Sequence, residues 1–81
     1  MSNYLEYKGY YTDVEIDFES QQFYGELGGI RDFVNFMSDI SEGIPGIIRD
    51  FHSAVDDYLA FCERHGKVPN VPEAMPIAAY A

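Results

Sequence analysis

The stretch that decides the fold is Gly43–Gly66, GIPGIIRDFHSAVDDYLAFCERHG. Its apolar side chains fall at Ile44, Ile47, Ile48, Phe51, Ala54, Val55, Tyr58, Leu59 and Cys62, at the three- and four-residue intervals that gather them on one stripe of a helix. Both ends are marked. Gly43 suits an N-cap and Pro45 a first turn, where its missing N–H costs nothing, while Arg64 and His65 put cations in the last turn ahead of Gly66. Pro69 then bars continuation. The spacing predicts a helix over 44–65, about 33 Å long, along which the rest of the chain must pack.

Upstream the period changes from three-four to two. Over residues 5–18, Tyr10, Thr12, Val14, Ile16 and Phe18 alternate with Tyr11, Asp13, Glu15 and Asp17, the pattern of a half-buried strand with a carboxylate row outside. Glu19–Gln22 is a polar connection, and residues 23–28 resume the alternation with Phe23 and Leu27 inward, so the two strands should pair as a hairpin. Gly28 and Gly29 break that strand, and residues 33–37 form a third run with Val34 and Phe36 on one face. Ser38–Glu42 reads as a loop into the helix. After Gly66 the two prolines of residues 67–73 leave no period, and Met75–Tyr80 reads either as a short fourth edge strand or as a frayed end. The expected architecture is α+β: a three-stranded antiparallel meander on one long C-terminal amphipathic helix, in a single domain over 1–81.

A chain of 81 residues buries a smaller fraction of its surface than a longer one, so modest stability or self-association as a homodimer is expected. With 14 acidic and 5 basic residues the net charge is −9. That repels nucleic acid and anionic membranes, supplies no phosphate-neutralising patch, and attracts basic proteins. No apolar run approaches a membrane span and the N-terminus lacks signal character, which points to an intracellular, cytoplasmic protein. The single cysteine, Cys62, lies on the apolar stripe as a buried thiol.

Candidate chemistry is sparse. Asp13, Glu15 and Asp17 share one strand face at about 6–7 Å spacing, and Glu26 lies across the hairpin. A two-metal nuclease needs such carboxylates converging in a hollow with basic residues nearby, whereas an alternating row points into water. The same face carries Tyr11 and Tyr24, and exposed tyrosine beside carboxylates suits docking of a basic protein, since carboxylates pair bidentately with arginine. Off the helix stripe, Asp57, Phe61 and Arg64 form a second candidate contact edge. His52 and His65 are too far apart to share a metal, and no glycine-rich phosphate loop or nucleophile–base pair is present. No enzyme activity, cofactor or metal is expected.

Three blocks carry a family resemblance: Tyr7-Lys8-Gly9-Tyr10; Phe23-Tyr24-Gly25-Glu26-Leu27 with Gly29-Ile30-Arg31-Asp32-Phe33-Val34; and Ala54-Val55-Asp56-Asp57-Tyr58-Leu59-Ala60-Phe61-Cys62 with Gly66. In order and spacing, from residue 7 to about 69, they resemble the HicB family of antitoxins. The resemblance implies a partial RNase H-like domain of three strands, a long helix and a further short strand. It also implies a partner, a small basic HicA-like ribonuclease toxin whose active site is covered, and in most members a C-terminal segment that binds operator DNA. Two departures follow. The sequence ends at Ala81 after a proline-interrupted tail, so neither that DNA-binding segment nor autoregulation by this chain alone is expected. The approach to the helix, Met37–Gly43, is longer than usual, and Gly43-Ile44-Pro45-Gly46 replaces a more acidic helix start. The expectation is a non-catalytic acidic inhibitor with Tyr11, Asp13, Glu15, Asp17, Tyr24, Glu26, Asp57 and Phe61 at its partner surface. The alternative is a phage-encoded anti-CRISPR inhibitor whose carboxylates imitate a phosphate row and block the DNA or RNA path of a CRISPR effector subunit.

Overall fold

A computed structural model describes residues 3–72. The chain forms β1 (Tyr4–Tyr7), β2 (Tyr10–Asp13), β3 (Glu15–Asp17), β4 (Gln22–Glu26), β5 (Asn35–Asp39), one 3-10 turn (Ile40–Glu42) and the helix α1 (Gly43–Arg64). It is an α+β fold: β1 and β2 make an antiparallel hairpin, β3-β4-β5 an antiparallel meander, and α1 follows them.

The single strand expected over 5–18 is three strands. Lys8 and Gly9 both adopt positive φ, 53° and 83°, and Tyr7 pairs with Tyr10 across them, which is the two-residue hairpin turn whose twist matches its strands. A second break falls at Val14: its N–H still bonds Asn3 O at 2.9 Å in register with the β1–β2 ladder, and from Glu15 the chain pairs with β4 instead. Two hydrogen bonds tie β2 to the C-terminal end of the meander's central strand and the residues just after it: Thr12 Oγ1 donates to Glu26 O at 2.8 Å and Gly28 N to Tyr11 O at 2.9 Å.

Expected inward positions hold only in part. Tyr10, Thr12, Phe23, Leu27 and Phe36 are buried, but Ile16 is 47% exposed and Phe18 81%. Phe18 belongs to the tight turn between β3 and β4, outside the strand, and Ile16 sits at the rim of an apolar groove of about 290 Å³ with Leu5, Val14, Ile44 and Ile48. The third strand runs two residues later than 33–37, and Ser38 and Asp39, expected in a loop, complete it.

Across the inner face of the sheets, α1 lays down Ile47, Phe51, Val55, Tyr58 and Cys62, all buried. Phe51 packs on Phe36 at 5.5 Å between ring centroids, and Tyr58 meets Tyr10 edge-on at 6.0 Å. The helix begins one residue before the expected 44 and ends one before 65. Gly43, expected as the N-cap, lies at φ 71° after the N-cap Glu42, whose side chain makes no capping bond. Ile44, expected on the stripe, stays 60% exposed. At the other end Lys67 N donates to Cys62 O at 2.8 Å and Gly66 N to Glu63 O at 3.3 Å, with Gly66 at φ 62°. This is a Schellman termination, which turns the chain back along the molecule.

The returning segment is pinned by polar side chains. Tyr10 Oη donates to Asn70 O at 2.6 Å, Asn70 N to Tyr58 Oη at 2.9 Å, and Tyr58 Oη to Asp32 Oδ2 at 2.7 Å. Lys67 Nζ closes the cluster 2.8 Å from Asp32. The strand considered for Met75–Tyr80 lies outside the described residues. Among the described residues no helix is long and apolar enough to cross a membrane.

Candidate protein-binding face

Alternation along the meander sends one set of side chains to α1 and the other outward. Register makes the outward set into rows: Glu15 opposite Tyr24 opposite Met37, Glu26 opposite Asn35, and Asp17 opposite Gln22 opposite Asp39. Glu15, Asp17, Tyr24, Glu26, Asn35, Met37 and Asp39 are all exposed.

The face is not flat. Where β2 gives way to β3 at Val14, Tyr11, Asp13, Glu15, Tyr24 and Glu26 line a hollow of about 350 Å³, with Phe33 and Asn35 on its far side. Tyr11 forms one wall because Gly28 leaves room for it: a Cβ there would stand 2.3 Å from Tyr11 Cε2. The ring stacks on Tyr4, centroids 6.0 Å apart. Five of the eight residues singled out by sequence therefore share one concavity with aromatic walls and a carboxylate rim.

Asp17 stands apart from it. Its Oδ1 accepts from Glu19 N at 3.0 Å, bracing the turn in which Gln21 takes φ 58°, and its side chain lines a neighbouring hollow with Gln22, Tyr24 and Met37. Asp57 and Phe61 lie on a third surface, a groove of about 590 Å³ between α1 and residues 32–35, together with Arg64 and Lys67. Phe33 and Asn35 line both this groove and the Tyr11–Tyr24 hollow, so one continuous surface joins the two sets.

Electrostatics separate the Tyr11–Tyr24 hollow, whose lining holds Asp13, Glu15 and Glu26 and no cation, from the rest of the molecule. Two of the five cations are engaged elsewhere, Lys8 with Asp56 at 2.9 Å and Arg49 with Glu42 and Asp50, and Lys67, in the α1 groove, is paired with Asp32. Lys67 first, and then the Tyr58 hydroxyl, hold the Asp32 carboxyl below its ordinary range, as Lys8 does for Asp56. Burial, reinforced by Asp32, pushes the Tyr58 phenol far up. Among the described residues no ion pair includes Asp13, Glu15, Asp17 or Glu26. Nor does any group of three or more His, Cys, Asp or Glu converge there to hold a metal ion.

No known protein family, curated protein or solved structure matches this chain. Function has to be read from the face itself. Phe33, 70% exposed, and Met37, 53% exposed, belong to it and were not singled out by sequence. The signal was available: with Val34 and Phe36 inward, strand alternation turns residues 33, 35 and 37 outward.

Proposed function

We propose that this chain is a non-catalytic, acidic protein-binding inhibitor, a HicB-like antitoxin module that occludes the nucleic-acid site of a small basic HicA-like ribonuclease. The assignment of its sheet and helix to a partial RNase H-like frame belongs to the same proposal. The observation that carries it is the hollow of Tyr11, Asp13, Glu15, Tyr24 and Glu26, whose carboxylates have no cation paired to them among the described residues. Tyrosine and methionine supply the apolar anchors typical of protein interfaces, and the surrounding acids match the arginines and lysines with which a ribonuclease holds RNA. Phosphate mimicry needs acids alone. The exposed Tyr24, Phe33 and Met37 amid these acids add apolar contact area that a phosphate row does not have.

The test is affinity purification of the tagged chain from its host at low salt, with mass spectrometry of what accompanies it, followed by titration of the purified partner. A small basic protein whose ribonuclease activity is suppressed is the expected result. Replacing Asp13→Asn, Glu15→Gln and Glu26→Gln together should leave the circular dichroism spectrum unchanged and weaken the complex by about tenfold or more, about 1.4 kcal/mol, with a shallower salt dependence. Recovery of CRISPR effector subunits would favour the phosphate-mimic alternative. Unchanged affinity in the triple variant would remove this face from the interface.

A further inference from the structure

The two edges of the meander are built differently. β3 is three residues long and has a carboxylate at each end, Glu15 and Asp17, the short, charged construction that resists pairing with another chain. β5 is five residues long, Asn35-Phe36-Met37-Ser38-Asp39, with one charge, at its end, and no proline or lysine.

Its free edge can be read from the ladder. Leu27 N donates to Val34 O at 2.9 Å and Ile40 N to Gln21 O at 3.0 Å, so the even-numbered residues turn their main-chain groups toward β4. By the alternation of antiparallel pairing, Asn35, Met37 and Asp39 turn theirs away, and among the described residues no strand lies on that side. The edge is open above and below. The α1 groove reaches Val34 and Asn35 on one side, and the outer hollow reaches Asn35 and Met37 on the other. Exposed Phe33, Met37 and Phe61 stand beside it.

We propose that a second copy of this chain pairs with β5 antiparallel about a two-fold axis at Met37, joining two meanders into one continuous sheet. Pairing requires the outward residues of one copy to meet those of the other, and the register centred on Met37 is the one that pairs the whole of β5. It sets Met37 against itself, Phe36 against Ser38 and Asn35 against Asp39. Met37 then exchanges both main-chain bonds with its copy, and Asp39 N–H bonds to Asn35 C=O in each direction. The patch is self-complementary, as an isologous dimer needs: an apolar pair sits on the axis and no like charges face each other. Asp39 uses Oδ1 to accept from Ser41 N at 2.8 Å, which leaves Oδ2 for the Asn35 amide of the other copy. On a molecule of net charge −9, β5 brings a single formal charge per copy, Asp39, into the pairing. A two-fold perpendicular to the sheet keeps both helices on one side and both Tyr11–Tyr24 hollows on the other, so the dimer leaves that face open and doubles it.

Sedimentation velocity and light scattering on the purified chain, over a range of concentration and salt, test this. The expected mass is twice 9.2 kDa, with association strengthened by salt as the repulsion is screened. Met37→Lys sets two ammonium groups across the axis, and Met37→Pro removes an N–H that the β4 ladder does not use. Each should raise the dimer dissociation constant by about tenfold or more with the circular dichroism spectrum retained. The amides of Met37 and Asp39 should be protected from hydrogen exchange in the native dimer and exchange freely in the Met37→Lys variant. A 9.2 kDa species at every concentration, or a dimer indifferent to both substitutions, overturns the proposal. So does protection of those two amides only when a co-purified basic protein is added, which assigns the edge to that partner.

Discussion

A Cβ on Gly25 would stand 2.7 Å from Phe36 Cζ and 2.7 Å from Thr12 Oγ1. Neither neighbour can yield: Phe36 is wedged against Phe51, and Thr12, 1% exposed, is held by Glu26 O. The absence of a side chain at this position lets β2 close on β4 and sets the depth of the hollow above it. Gly25→Ala should therefore cost about 1–3 kcal/mol of stability by overpacking, read as a lower urea midpoint with an unchanged m-value. Gly66→Ala meets no neighbour but sits at φ 62°. Its penalty is one of backbone conformation, at a helix end the sequence already marked. Gly25 carried no such mark, because a glycine within a strand run reads alike whether the crowding lies on the core side or the outer side.

At the scale of elements, α1 was legible and its partners less so. The apolar stripe named Ile47, Phe51, Val55, Tyr58 and Cys62, and all are buried. Tyr58, read as one more apolar position, is also the joint between the helix and the returning chain, since its hydroxyl accepts from Asn70 N and donates to Asp32. Tyr58→Phe keeps the packing and removes both bonds, leaving Asn70 N without its acceptor. About 1–3 kcal/mol of stability should be lost, together with hydrogen-exchange protection at the Asn70 amide, while the amides of the α1 core stay protected. The first strand divides for reasons that period shows only in part. Hydrophobic alternation shifts phase at Lys8-Gly9, from Leu5 and Tyr7 to Tyr10, Thr12 and Val14, where the pairing of Tyr7 with Tyr10 imposes a positive φ at Lys8. It then runs on in phase through Val14 into Ile16, so period alone cannot register the second break.

Across the whole molecule, some carboxylates are partnered internally and others, among the described residues, face solvent without a cation. Asp32, Asp39 and Asp56 have internal partners that hold their carboxyls below the ordinary range, Lys67, Ser41 and Lys8 respectively being the main ones. A carboxyl depressed in the folded state contributes stability that is complete above its unfolded pKa, about 4, and is lost as pH falls through the lower folded value. Lys8 and Lys67 are raised by Asp56 and Asp32, and Tyr10 and Tyr58 are raised chiefly by burial. Their contribution is complete below about pH 10 and lost as pH climbs through their folded values. Thermal unfolding followed against pH should therefore show a broad plateau with a fall on each side. Asp32→Asn should flatten the acid limb, and a limb unchanged by that substitution would show that the Lys67–Tyr58 cluster does not contribute to it.

The sequence by itself determined the layers: one helix stripe to bury, alternating strands to cover it, and a carboxylate face turned to water. Those follow from periodicity, which is local and is written residue by residue. Tertiary structure alone decided that Tyr11, Asp13, Glu15, Tyr24 and Glu26 share a hollow, that Asp17 braces a turn beside it, and that Phe33 connects this hollow with Asp57 and Phe61. Each of those depends on a break in pairing at Val14 and on contacts between residues distant in the chain. Periodicity specifies which way a side chain points, but which other side chains it meets depends on how the sheets are laid against one another.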